Sequence, residues 1–91
     1  MSVRVRVPTV LRPRTGGEAV VTAEAGTIAE VIQAIDEDHP GFAGVIFEES
    51  GQLKRFINVF LDDEDVRYLE GADTRVPDGA EVVILPAVAG G

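Results

Sequence analysis

The 91-residue sequence contains no cysteine and only one histidine, His39. The absence of cysteine excludes disulfides, thiolate metal sites and a cysteine nucleophile. A metal site with several histidines is also excluded, because only one imidazole is available. No phosphate-binding loop, dinucleotide fingerprint or hydrolase triad spacing is present. We therefore expect a chain without catalytic residues of its own, and without a bound metal or cofactor.

Basic residues are also scarce, with 8 Lys and Arg against 16 Asp and Glu, and a formal net charge of −8. A chain with this charge is repelled by a phosphate backbone, so we expect no nucleic-acid partner. No apolar run approaches the roughly 20 residues of a membrane span. The first residues alternate between polar and apolar, unlike the core of a signal peptide. We expect a cytoplasmic protein that does not bind membranes.

Two acidic clusters stand out. Asp62–Asp65 lacks the spacing and the glycine of a calcium loop, so it is interpreted as a solvated turn. Asp36, Glu37 and Asp38 end a predicted helix, where carboxylates oppose the helix dipole. That cluster is interpreted as a solvated helix end, and the alternative is a docking patch for a basic partner.

The first half of the chain predicts two strands and a helix. Val3, Val5 and Val7 alternate with polar residues, which is typical of a half-buried strand. The loop Leu11–Gly17 is short, so the next predicted strand, Glu18–Ala23, should form an antiparallel hairpin with the first. Thr27 and Glu30 fit a capping box, and the following apolar stripe predicts a helix that stops at His39-Pro40-Gly41. The residues of the stripe are Ile28, Val31, Ile32 and Ile35.

The second half predicts further strands of the same sheet. Residues 41–53 are expected to be a loop with an apolar plug, and the later elements are a strand at Lys54–Leu61, a short strand at Val66–Tyr68 and a last strand at Glu81–Pro86. One helix covers one face of such a sheet, which gives a two-layer α+β domain. We expect a β-grasp, or ubiquitin-like, fold over residues 1–86. Its mixed sheet would have four to five strands, and residues 87–91 would form a flexible tail.

Both faces of the last long strands are apolar. Ile57, Val59 and Leu61 alternate with Phe56, Asn58 and Phe60, and Val82 and Ile84 alternate with Val83 and Leu85. Because one helix covers only one face, one set should remain as an exposed apolar patch, and such patches mark interaction sites. The alternation does not decide which set faces outward. By analogy with ubiquitin-like domains, counting back from the terminal glycines, we predict that the outward, partner-binding set comprises Phe56, Phe60, Val83 and Leu85. The alternative is that residues 41–53 cover this face.

The sequence ends in two glycines, Gly90 and Gly91, after the small residues Ala87, Val88 and Ala89. A tail without large side chains fits a narrow channel, and glycine allows close backbone approach. The reactive group at its end is the Gly91 carboxylate. Adenylation by ATP would activate it, and a sulfur nucleophile displacing AMP would leave a thiocarboxylate. This chemistry needs no catalytic residue in the chain itself.

These features resemble the MoaD/ThiS/CysO family of ubiquitin-like sulfur carriers, in particular its CysO-type members. The resemblance rests on Val7–Gly17, the predicted helix, Asn58–Arg67 and Pro77–Gly91, and it spans essentially the whole chain. Where many members have a Val-Asn turn, this chain has Leu61-Asp62, and aspartate also tolerates such turns.

The resemblance implies an activating enzyme of the MoeB/ThiF type that adenylates Gly91. It also implies a sulfurtransferase, a rhodanese-like domain or another sulfide source that makes the thiocarboxylate. Thiocarboxylate or AMP would be present on Gly91 only transiently. The acceptor would be a cysteine synthase, a thiazole-synthase-like enzyme or a molybdopterin-synthase-like enzyme, and carriers of this kind also serve natural-product and thiosugar pathways. Cysteine biosynthesis is favoured, and a monomer that docks on larger enzymes is expected. The alternatives are a protein modifier that forms isopeptide bonds through Gly91, and a binding module whose terminal glycines are incidental.

Overall fold

The structure is a computed structural model, and it describes residues 2–86. Seven strands and two α-helices follow one another along this part of the chain. They are β1 (Ser2–Arg6), β2 (Val20–Glu24), β3 (Gly26–Thr27), α1 (Ile28–Asp38), α2 (Phe42–Ile46), β4 (Ile57–Leu61), β5 (Glu64–Asp65), β6 (Arg75–Val76) and β7 (Glu81–Pro86).

The main sheet has five strands in the order β2-β1-β7-β4-β5, and β3 and β6 form a separate two-stranded sheet. The first strand pairs with β2 in an antiparallel direction and with the last strand in a parallel direction. The last strand also pairs antiparallel with β4, so it lies between β1 and β4. A mixed sheet of this order, covered by one main helix, is the β-grasp fold that the sequence predicts.

The core lies between the main sheet and the helices. Val3 and Val5 of β1, Val59 of β4 and Ile84 of β7 are fully buried there, as is the apolar stripe of α1. The Thr27 hydroxyl accepts a hydrogen bond from the Glu30 amide at 3.2 Å, and the Glu30 carboxylate accepts one from the Thr27 amide at 2.9 Å. This reciprocal pair satisfies two amides at the start of α1, as the capping box predicts.

The prediction of a loop over residues 41–53 is wrong for its first part, because Phe42–Ile46 forms α2. Asp36 Oδ1 accepts hydrogen bonds from the amides of Gly41 and Ala43 at 3.0 and 2.9 Å, which starts α2 directly after α1. Phe42 and Ile46 are completely buried in the core shared with α1. Residues 42–46 therefore extend the helical layer and do not cover the opposite face of the sheet.

Other boundaries also differ from the predictions, and the second strand covers Val20–Glu24 instead of Glu18–Ala23. The strand expected to begin at Lys54 begins at Ile57. The strand expected at Val66–Tyr68 is a short 3-10 helix, and the strand of that region is Glu64–Asp65. The predicted loop contains a 3-10 helix at Thr9–Thr15, which ends at Gly16 with a φ of 64°. A left-handed conformation of this kind is accessible to glycine at little cost.

Candidate partner-docking face

The outer face of the main sheet carries an apolar patch made by β4 and β7. Phe60 lies opposite Val83, and Asn58 lies opposite Leu85, in the antiparallel pairing of these strands. The intervening residues Val59 and Ile84 point to the core and are completely buried. Leu85 is 45% exposed, and Phe60 and Val83 are half-buried.

Phe56 precedes β4 by one residue and is 60% exposed. The structure thus brings together the four predicted residues on or beside one face. We name Phe56, Phe60, Val83 and Leu85 the outer patch. Their role as a partner-binding surface remains a prediction.

Arginines border the outer patch on its β1 side. Arg6 is the register partner of Val83 in the parallel β1–β7 pair. Its Nε donates to Glu81 Oε2 at 2.9 Å, and Arg4 Nη2 lies 3.5 Å from the same oxygen. Arg12 Nε donates to the carbonyl oxygen of Val7 at 3.2 Å, beside a small cavity of about 180 Å³ that Val83 and Leu85 also line. Two guanidinium groups therefore share one carboxylate, which leaves positive charge next to the patch.

The β4 side of the outer patch is also bordered by arginines. The Arg67 guanidinium donates to Asn58 Oδ1 at 2.9 Å and to the carbonyl oxygen of Lys54 at 2.6 Å. The Arg55 guanidinium carbon lies 5.9 Å from the centre of the Phe56 ring, within range of a cation–π interaction. The patch is thus an apolar centre with an arginine-rich border that also contains Glu81 and Asp65, although the whole chain has a net charge of −8.

The cluster of arginines at the start of the sequence predicts a solvated or partner-facing strand edge, but it does not place these arginines beside the outer patch. The alternation in β1 indicates that Arg4 and Arg6 point away from the core. That alternation was a partial signal, but only the parallel pairing of β1 with β7 places Arg6 beside Val83.

The strand that carries Val83 and Leu85 also leads to the end of the chain. It is hydrogen-bonded on both sides, and its last residue, Pro86, lies opposite Ile57. The predicted tail and reactive end, Val88, Ala89, Gly90 and Gly91, lie outside the described residues. The described part of the chain therefore ends on a central strand that also carries two residues of the outer patch.

The acidic residues show no metal centre within residues 2–86, where no three potential ligands converge. Asp62 and Asp63 form the turn between β4 and β5 with φ values of 45° and 77°. Asp62 Oδ1 accepts a hydrogen bond from the Glu81 amide at 3.2 Å, which ties this turn to β7. Its carboxylate thus has a structural partner.

The pKa of the Glu30 carboxyl group is shifted. The hydrogen bond from the Thr27 amide, and after it the Thr27 side chain, lower this pKa from its ordinary value of 4.5. Glu30 caps α1 and is remote in sequence from the outer patch, so this shift concerns stability.

No helix in residues 2–86 has the length and apolar character needed to cross a bilayer.

Comparison with known proteins gives the family. The sequence matches the ThiS family over residues 5–91. The chain belongs to the ThiS family. It is 44% identical to the sulfur carrier protein CysO of Mycobacterium tuberculosis, over 100% of both chains.

Two further relatives bear on function. A chain in the crystal structure of the Amycolatopsis orientalis BexX/CysO complex is 46% identical, with a TM-score of 0.92, covering 98% of this chain and 99% of that one. The small archaeal modifier protein 3 of Haloferax volcanii is 34% identical over 71% of this chain and 70% of its own length. This ThiS-family chain is thus similar to sulfur carriers over its full length, and to a protein modifier over most of it.

Proposed function

We propose that this protein is a sulfur carrier that works through a thiocarboxylate on Gly91. The observation that supports it most strongly is the full-length similarity to CysO, which extends through the terminal Gly90-Gly91. The described residues add an apolar face on β4 and β7, the strand that leads to the tail. The chain itself acts as a co-substrate of other enzymes.

The proposed reaction has two steps. The Gly91 carboxylate attacks the α-phosphorus of ATP, which forms an acyl adenylate and releases pyrophosphate. Hydrosulfide then attacks the acyl carbon, a C–S bond forms and the C–O bond to AMP breaks. The product is a thiocarboxylate, whose sulfur is passed to an acceptor. An activating enzyme of the MoeB/ThiF type would bind ATP and supply the catalytic groups. We place the reaction in the cytoplasm because ATP is its co-substrate.

The outer patch is proposed to dock these enzymes while the tail enters their active sites. Apolar side chains at the centre of an interface, which become fully buried when the complex forms, usually carry most of the binding energy. Charged residues usually lie at the rim of the interface. Phe60 and Val83 form such a centre, and Arg4, Arg6, Arg55 and Arg67 form such a rim. We expect matching carboxylates on the partner enzymes.

Among acceptors, we favour a cysteine synthase, because the similarity to CysO covers the whole chain. The similarity to a chain of the BexX/CysO complex supports the view that carriers of this type dock on other proteins. Thiazole-synthase-like, thiosugar and molybdopterin-synthase-like acceptors remain the alternatives. Purified acceptors of each class, given the same thiocarboxylated carrier, would identify the one that takes up sulfur.

The test of the carrier chemistry is the mass of the C-terminal peptide. The protein is incubated with ATP, magnesium, sulfide and a MoeB-type activating enzyme. We expect replacement of one oxygen by sulfur at Gly91. The peptide is measured because oxidation of Met1 changes the intact mass by nearly the same amount. A variant with one residue added after Gly91 is the control and should stay unmodified. An unmodified wild-type peptide, with an activating enzyme that loads another carrier, would contradict the proposal.

A second function is supported by the similarity to the Haloferax modifier protein. An activated Gly91 attacked by a lysine amine would give an isopeptide bond, with release of AMP. The two functions differ in product. Conjugates of high mass that survive reductant in cells would indicate a modifier, and they should be absent if the protein acts only as a sulfur carrier.

A further inference from the structure

A groove lies in the helical layer, on elements that do not contribute to the outer patch. It has a volume of about 530 Å³ and is formed by α1, α2 and the segment that follows α2. Ala29, Ala43, Gly44 and Phe47 provide most of its apolar lining. A volume of this size is in the usual range of ligand sites, about 300–1,000 Å³. We name it the helix-layer groove.

The groove has defined walls. Ala29 and Gln33 lie one turn apart on α1, so both face the same side of that helix. The opposite wall is a short hairpin in which Phe47 pairs with Leu53, and the Glu48 amide donates to the Gln52 carbonyl oxygen at 2.8 Å. The Lys54 amide donates to the Ile46 carbonyl oxygen at 2.9 Å and ties this hairpin to α2.

Small side chains keep the groove open. A Cβ added to Gly44 would meet no atom within 4 Å, and the backbone there is not in the left-handed region. A side chain at this lining position would therefore begin in open space. Gly44 thus offers a way to fill the groove while preserving the fold.

The charge at the groove is negative. Glu48 and Glu49 are exposed at its edge, and Lys54 is the single basic residue that lines it. Along α1 the row from Gln33 continues to Glu37, which is also exposed. The outer patch, by contrast, is bordered by arginines. The two surfaces therefore differ in charge as well as in position.

We propose that the helix-layer groove docks a segment of a partner protein that carries an apolar side chain flanked by lysines or arginines. The apolar lining would bury the central side chain, and the carboxylates of Glu48 and Glu49 would face the flanking cations. A second copy of this chain fits less well, because each copy carries a net charge of −8 and like charges repel. This site makes no use of Gly91, so it stands independently of the carrier chemistry.

The test is a titration of the full-length ¹⁵N-labelled protein with a synthetic peptide in which leucines are flanked by lysines. We expect saturable shifts of the amide signals of Ala29, Gly44 and Gly51. Gly44→Leu should weaken binding by about tenfold or more, equivalent to about 1.4 kcal/mol. Thr22→Leu adds the same side chain to an exposed position on β2 and should bind the peptide like the wild type.

A charge reversal gives a second measurement that does not depend on Gly44. The double variant Glu48→Lys, Glu49→Lys should abolish peptide binding. The control is the double variant Glu18→Lys, Glu24→Lys, which changes the net charge equally at exposed positions away from the groove. The control should retain most of the peptide binding. Binding should also weaken as salt is added.

Four results would overturn the proposal. These are an absence of shifts, shifts of equal size in the Gly44→Leu protein, equal binding of a peptide with glutamates in place of the lysines, and groove shifts caused by protein concentration alone. The last result would assign the groove to a second copy of the chain.

Discussion

Phe60 lies directly opposite Val83 in the β4–β7 pair, and the same row continues to Arg6 and then Val20 on one side and to Asp65 on the other. The row thus crosses all five strands of the main sheet, with two apolar residues at its centre and one charged residue on each side of them. Val59 and Ile84, the adjacent residues, point to the opposite face and are buried. The outer patch is therefore a direct consequence of strand register, because neighbouring residues of a strand point to opposite faces.

We expect Phe60→Ala to slow adenylation of Gly91 by an activating enzyme at least about tenfold in kcat/KM, since a central aromatic anchor is lost. The measurement is pyrophosphate release at carrier concentrations below KM. Tyr68→Ala removes an aromatic side chain that is 88% exposed outside the outer patch, and it should leave the rate unchanged. Equal adenylation rates for the two variants would show that Phe60 is not part of the docking surface.

We expect Ile84→Ala and Leu85→Ala to differ sharply in stability although they are adjacent in β7. Ile84 is completely buried, so its truncation should lower the free energy of unfolding by about 2–5 kcal/mol. Leu85 is 45% exposed, so its truncation should lower the free energy of unfolding by about 1 kcal/mol or less. Urea denaturation followed by circular dichroism measures both. A larger loss for Leu85→Ala would contradict the assignment of the two faces.

The capping box predicts a pH-dependent contribution to stability. The pKa of Glu30 is lowered in the folded protein by its hydrogen bonds with Thr27. A lowered pKa means that the folded state favours the ionised form. The stabilisation is therefore complete above the ordinary value of 4.5, and it is lost as the pH falls through the lower pKa of the folded state.

The corresponding experiment compares Glu30→Ala with the wild type by urea denaturation across this range. The variant should be less stable at neutral pH, and the difference should shrink below pH 4.5. Glu37→Ala, on the same helix without a hydrogen bond to Thr27, is the control for the loss of a carboxylate. A difference that stays constant with pH for Glu30→Ala would show that ionisation of Glu30 does not stabilise the cap.

The β4–β5 turn predicts a stabilising substitution. Asp63 has a φ of 77°, a conformation that costs a residue with a Cβ roughly 1 kcal/mol relative to glycine. We expect Asp63→Gly to remove this cost and to raise the free energy of unfolding by about 0.5 kcal/mol. The increase is smaller than the full cost because glycine also gives the unfolded chain more conformational entropy. Glu64→Gly, in β5, should instead lower it. Thermal unfolding of both proteins provides the measurement, and a loss of stability in Asp63→Gly would contradict the prediction.

The accuracy of the sequence predictions follows the range of the interactions involved. The cap at Thr27, the apolar stripe of α1 and the valine alternation of β1 depend on neighbours within a few residues, and the structure confirms them. The region after α1 was mispredicted because the helix α2 depends on Asp36, a residue of the preceding helix that binds the amides of Gly41 and Ala43. No local pattern in residues 41–53 reports that contact.

The sequence by itself determined the layer architecture, the capped helix, the pair of apolar strands and the resemblance to sulfur carriers through Gly90-Gly91. These properties are carried by residue periodicity and by short motifs. Only the tertiary structure decided which strand face is exposed, that Arg6 and Arg67 border the outer patch, and that α1, α2 and the following hairpin form the helix-layer groove. These features arise where strands or helices distant in sequence meet, so they depend on register and packing and not on local patterns.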